Sequence, residues 1–363
     1  MILSYPSPGA TTRARSGYLG PGMELRHISS YSKELRPILA ANTFRPARAR
    51  ILWLPVHLGV VVLATTALAA GWVSLWFAPL VALVIGMSFA GLAFVAHETL
   101  HGSIVRGART RYLVGFVSFL PFLVSPRLWT SWHNRVHHGH ANQPDHDPDA
   151  NPTLAMYQAD GGTRFVTDHL TPGRRSLTGV VGLLVGFTGQ SGQILINAVR
   201  RGILGKEQHR LASYEFTFAL AVWATVLCFV GPVVFLFTFI LPLIVGNMIV
   251  MGFIFTNHSL NPVTEVNDPL ANSLSVTMHP FLEWLTLGFG YHVEHHLFPA
   301  MSAARAPAVR EQLRELWPER YQSLPLHTAL RELHRTGRVY VDDTTLGDPN
   351  SGLEWPTLQP RAS

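Results

Sequence analysis

The chain has 363 residues, 48% of them hydrophobic and only 14% charged, with a formal net charge of +6. Those proportions exclude an ordinary soluble domain pair and fit an integral membrane protein. The arginines are not interleaved with stacking aromatics, which argues against a nucleic-acid partner, and the single cysteine, Cys228, excludes an intrachain disulfide.

Residues 1–22 are rich in Pro, Gly, Ser and Thr and lack an apolar core, so they read as a disordered tail and not as a signal peptide. Arg26, Lys33, Arg36, Arg45, Arg48 and Arg50 follow, and then a stretch from Ile51 to Ala96 contains no Asp, Glu, Lys or Arg. A span needs about 20 apolar residues, so this stretch is expected to form two helices, about 51–70 and 74–96, turning at Gly71 to Ser74. Phe216 to Thr264 is again uncharged and reads as a second pair, about 213–231 and 234–256, broken at Gly231 and Pro232. Between the pairs, Tyr112–Val124 carries Pro121, and Leu177–Val199 loses apolarity at Gln190, Gln193 and Asn197. Both are expected to be interfacial or re-entrant. The positive-inside rule then puts both termini and residues 97–215 in the cytoplasm. Ser302 to Arg335 reads as one or two cytosolic helices closing a membrane domain of 23–336, and 337–363 as a polar tail. The expected fold is all-α integral membrane: four transmembrane helices in two hairpins with a cytosolic helical cap.

Three of the clusters formed by the 18 histidines stand beyond span ends: His97, His101; His133, His137, His138; and His292, His295, His296. Residues three or four apart share a helix face, so each cluster is expected to aim imidazoles at one point. Imidazole nitrogen suits iron, zinc, copper or nickel. A closed structural zinc takes about four ligands, usually with Cys; eight histidines exceed one metal and point to two metals sharing them. A metal transporter would hold its ligands inside the spans near the midplane. His57, alone within the first span, reads as a packed neutral histidine, and His140, His146 and His279 as surface groups. Asp145, Asp147 and Asp149 follow the second cluster and can orient ligand imidazoles. Glu98 and Glu294 point away from the ligand face of a regular helix, toward a supporting role or solvent.

With these boxes, read HETLH, HNRVHH and HVEHH and flanking paired apolar hairpins, the chain resembles the membrane fatty acid desaturase superfamily over roughly residues 50 to 310. The third box continues into Leu297-Phe298-Pro299, a form familiar in acyl-lipid desaturases. The resemblance implies a di-iron centre (Fe2+/Fe3+) at the cytosolic membrane face and O2 as co-substrate. It also implies His258, beside Asn257 after the last span, as a further ligand, with Asn257 and Asn261 as lesser candidates. An acyl-lipid or acyl thioester would gain a cis double bond. No haem-binding HPGG segment occurs in the sequence, so the electron donor is expected to be a separate ferredoxin or b-type cytochrome with its reductase. Trp129 and Trp132 are expected to line an apolar tunnel or anchor the interface. The alternatives are a carotenoid ketolase or hydroxylase and a fatty acid hydroxylase on the same scaffold. With only Lys33 and Lys206 as lysines, the composition points to a bacterial cytoplasmic membrane.

Overall fold

The computed structural model describes residues 24–359, and the tail expected at 1–22 lies outside them. The described chain is mostly helical, and four of its helices are long and apolar enough to cross a membrane: Ala41–Ala69, Leu75–Leu100, Val180–Asn197 and Lys206–His258. The first two pack on each other across a turn at Gly71, whose φ of +71° only glycine enters without Cβ strain. The fourth is two arms. Gly231 leaves the helix at φ 75°, ψ 165°, and Trp223 stacks on Phe239 at 4.1 Å across the break. The stretches expected at about 213–231 and 234–256 fall on these arms.

Val180–Asn197, expected to be interfacial or re-entrant, is an uninterrupted helix of 18 residues and the least apolar of the four. The other ambiguous stretch is bent: Ala108–Phe122 and Pro126–His137 meet at 108°, with Leu123 at the corner in the left-handed region at φ 59°. Large apolar side chains point outward along the long helices, among them Leu63 at 69%, Trp76 at 91% and Phe229 at 85% exposure. Water would not tolerate so much uncovered apolar surface, but hydrocarbon does. The chain is a membrane protein.

Helix Ala78–Leu100 is the hub, buried without interruption from Ser88 to Leu100. It packs against Trp53–Ala69, Ala108–Phe119 and Leu241–His258, and the last of these packs in turn on Val180–Asn197. Gly91 allows the close approach of Trp53–Ala69, since a Cβ there would meet the ring of His57 at 2.2 Å. His57 is buried and stacked on Trp53, as a packed histidine should be.

Two small sheets depart from the all-α expectation. Ser275–Thr277 pairs in parallel with Ser323–Pro325, and Val339–Asp342, Thr345–Asp348 and Leu353–Pro356 form an antiparallel meander. Within the polar tail expected at 337–363, the described residues 339–356 form this meander. Val339, Tyr340 and Leu346 are buried, while the Tyr340 N–H donates to Pro152 O at 2.9 Å and that of Leu358 to Leu260 O at 2.7 Å. Strands of four residues are too short for their alternation to stand out in a polar sequence.

Candidate metal centre

The hub helix delivers the first box at its end, with His97 in the last turn and His101 as C-cap. The second box sits on a π-helical turn, Trp132–His137, that continues the short helix Pro126–Ser131. His258 ends helix Leu241–His258, and the third box forms the helix His292–Leu297. Their nitrogens converge as two groups. His97, His101, His133 and His295 bring one ligand atom each within 4.8 Å of one another, and so do His137, His258, His292 and His296. All nine expected histidines are at this centre, but only the first box aims at one point. His133 and His137 stack on each other at 4.9 Å, and their ligand atoms lie within 4.8 Å of one another and of Asp149, yet each also joins a different histidine group. In the third box His292 and His296, four apart, join one group and His295 the other. His138 lies between them, its Nε2 at 3.1 Å from His295 Nε2 and its ring stacked on His296 at 4.4 Å.

These nitrogens fit metal ions. Two imidazoles bound to one metal at about 2.1 Å hold their nitrogens about 3 Å apart. The observed Nε2 separations are 3.2 Å for His97 and His133 and 2.6 Å for His258 and His292. Buried His101 Nε2 and both nitrogens of His296 have no hydrogen-bond partner, a costly state unless a ligand completes them. Burial, reinforced by neighbouring imidazoles, holds His101, His138, His292, His295 and His296 well below the usual histidine pKa. They are therefore neutral, with a lone pair free to coordinate.

Second contacts fix the rings. Both oxygens of Asp147 lie 3.0 Å from His137 Nδ1, and His258 Nδ1 donates to Asn272 O at 3.0 Å. Each ring thus carries its proton on Nδ1 and turns Nε2 to the centre. Asp147 also accepts the N–H groups of Asn142 and Asp149. Asp149 is buried, which pushes its carboxyl up to about 7, and its carboxylate reaches within 3.4 Å of His137 Nδ1. Asp145 stays at the surface.

Glu98 and Glu294 support the centre from behind. Neither faces solvent. Glu98 accepts from Arg50 at 2.8 Å and from the Ala303 N–H at 2.7 Å, which ties the first box to the segment after the third. Glu294, fully buried, accepts from Arg310, Tyr321 and Ser275.

His140 and His146 stack on each other away from the centre, and His279 caps helix Pro280–Leu285. Asn261 donates to Ala271 O and Ser273 O and is structural. Asn257 is different: it is fully buried, neither side-chain polar atom has a partner, and it lines the cavity beside the histidines. That hollow, of about 520 Å³ including space open to the surroundings, is walled by Phe119, Trp129, Trp132, Phe187, Val250 and Ile254, and reaches His97 and His133 of one group and His137, His258 and His292 of the other. Asn142, Gln190 and Tyr340 support the site without any sequence signal: Tyr340 OH donates to Asn261 O at 2.7 Å and contacts Asn142, whose backbone holds Asp147.

Among known proteins, the chain is similar to the dihydrorhizobitoxine desaturase of Bradyrhizobium elkanii, with 31% identity over 28% of each chain. It is also similar to the sphingolipid delta(4)-desaturase DES1 of Drosophila melanogaster, 42% identical over 13% of this chain and 14% of that one. The human sphingolipid delta(4)-desaturase/C4-monooxygenase DES2 is 46% identical over 13% of each. The matched stretches thus span under a third of these relatives. The family model described as fatty acid desaturase matches residues 70–325, a segment that holds all three boxes, both arms that meet at Gly231 and the walls of the cavity. A match over well more than half of its length makes this chain a member of the fatty acid desaturase family.

Proposed function

We propose that the chain is an O2-dependent acyl desaturase, and the observation that carries this reading is the apolar, aromatic-walled cavity that ends on both histidine groups. His97, His101, His133 and His295 would hold one iron and His137, His258, His292 and His296 the other, with His138 available to either. Iron in these sites, with O2 and external electrons, supplies the oxidising power that no side chain has. The protein contributes position and dryness. Phe119, Phe187, Val250 and Ile254 hold a methylene chain by dispersion and exclude water, and Trp129 and Trp132 close the cavity at the histidine end. Asp147 and the Asn272 carbonyl keep their imidazoles in one tautomer. The electrons come from a separate ferredoxin or b-type cytochrome. The spans form two hairpins under a cytosolic cap, with both termini and the centre on the cytoplasmic side of a bacterial membrane.

A second reading, hydroxylation of the same chain, is favoured by one observation: the human relative's own description joins desaturase with C4-monooxygenase. One experiment separates the outcomes. Expression beside a compatible electron donor should add a cis double bond to membrane acyl chains, seen in their methyl esters, and the product should vanish in a His295→Ala, His296→Ala variant. Hydroxy fatty acids instead would favour the second reading, and oxygenated carotenoids with unchanged acyl chains would overturn both.

A further inference from the structure

The segment 144–152 separates two hollows. On one side is the histidine cavity; on the other is a groove of about 1260 Å³, including space open to the surroundings. Among the described residues, only Asp149 lines both. Beside it, the Gln190 amide donates to Asp149 Oδ1 at 2.7 Å and to Pro148 O at 3.0 Å. The groove floor is one face of helix Val180–Asn197, where Gly182, Gly186 and Gly189 recur at helical spacing. Not all of these glycines serve helix packing. A Cβ on Gly182 would meet Leu170 O at 1.7 Å and one on Gly186 would touch Met251, but one on Gly189 meets nothing within 4 Å. The space over Gly189 is left open.

The groove is amphipathic. Val166, Leu170, Val185 and Phe255 alternate with the neutral polar groups of Asn151, Thr167 and Gln193, and its two charged residues, Asp149 and Arg201, have opposite signs. Such a lining disfavours a strongly charged guest and suits a neutral hydrogen-bonding one with an apolar extension. The same helix carries exposed Val181 and Ile196, apolar surface that suits contact with hydrocarbon.

We propose that this groove is the substrate port and the seat of the substrate's head. An acyl lipid with a neutral amide, ester or hydroxyl head rests its head near Gln193 and Thr167, and its chain passes the Gln190–Asp149 pair into the histidine cavity. Rotation of the Gln190 side chain opens the way. The proposal rests on the acyl-chain reading above and adds where the lipid enters and what its head must be.

The test uses the full-length, iron-loaded protein in lipid nanodiscs and an acyl amide with a photoreactive diazirine on its head. After irradiation, peptide mapping should find label within 163–171 and 182–193, the segments that line the groove around Thr167 and Gln193. Gly189→Phe, which fills the open space, should cut that labelling and raise KM by about tenfold or more, with iron content and melting unchanged. Label on Leu287–Ala306, which borders a different hollow against His97, His292 and His295, would overturn the port, as would undiminished labelling of a folded Gly189→Phe protein. Should that variant not fold, the wild-type label map decides alone. Groove labelling without any acyl conversion would refute the desaturase reading and leave a lipid site, whereas conversion with label elsewhere would refute the groove only.

Discussion

Asp147→Asn is the sharpest probe of how the centre is held. The change keeps the shape and removes one acceptor. In the native site both carboxylate oxygens are acceptors: Oδ2 takes the Asn142 N–H at 2.9 Å, Oδ1 takes the Asp149 N–H at 3.0 Å, and His137 Nδ1 lies 3.0 Å from each. An amide turned either way therefore sets its NH2 against a backbone N–H, and no rotation relieves both contacts. With Asp147 buried, losing one hydrogen bond to a charged group costs about 1.5–3 kcal/mol. The His137 ring is also left with at most a neutral amide oxygen where it had a carboxylate, and weakening a partner of this kind lowers metal affinity by about 10–100-fold. Competition against a chelator, read by metal analysis, measures the affinity, and chemical denaturation measures the stability. Loss should concentrate in the group that contains His137, so that the first iron to leave is one and not both. Full iron retention at the chelator level that spares the wild type, together with unchanged denaturation, would refute the orienting role.

His258→Ala leaves three histidines in its group and all four in the other, so metal analysis should fall from about two irons per chain toward one; a fall to none would mean that the two groups are not separable sites. Tyr340→Phe removes the hydroxyl that donates to Asn261 O at 2.7 Å and should cost about 1 kcal/mol, with a lower denaturation midpoint and no loss of product class. Glu294→Ala strands the Arg310 guanidinium, which is 7% exposed and donates to Glu294 at 2.8 Å. Breaking a buried pair from one side costs about 3–5 kcal/mol, so expression and melting should both drop, and an Arg310→Met partner change should recover part of the loss.

The histidine clusters were legible because their chemistry is repeated. Nine histidines at short spacings beyond uncharged stretches admit few explanations, and the uncharged stretches carry their own breaks at Gly71 and Gly231. What spacing could not supply is direction. The i, i+4 rule looks only along one helix, and His133 and His137, with rings stacked at 4.9 Å, enter different groups because the histidines that complete each group come from other elements. The same limit left Glu98 and Glu294 free to face solvent. They are buried because Arg50, Arg310 and Tyr321 come from distant parts of the chain to meet them.

Distance along the chain separates the readable support from the unreadable. Asp147 lies ten residues from His137 and announces itself in an acidic stretch beside a box. Tyr340 meets Asn142 across 198 residues, from a segment beyond the matched family region of 70–325, and its own sequence is that of a polar tail. No local pattern encodes such a contact, since burial of Tyr340 depends on Pro152 and Asn261 being in place first. The choice between alkene and alcohol belongs to the same class of unreadable detail. On the proposed function both outcomes would use identical histidines, and the difference would lie in how Phe119, Phe187, Val250 and Ile254 hold a chain against the centre. Substitutions in that wall, and not in the boxes, are therefore where product identity should change while iron content stays constant.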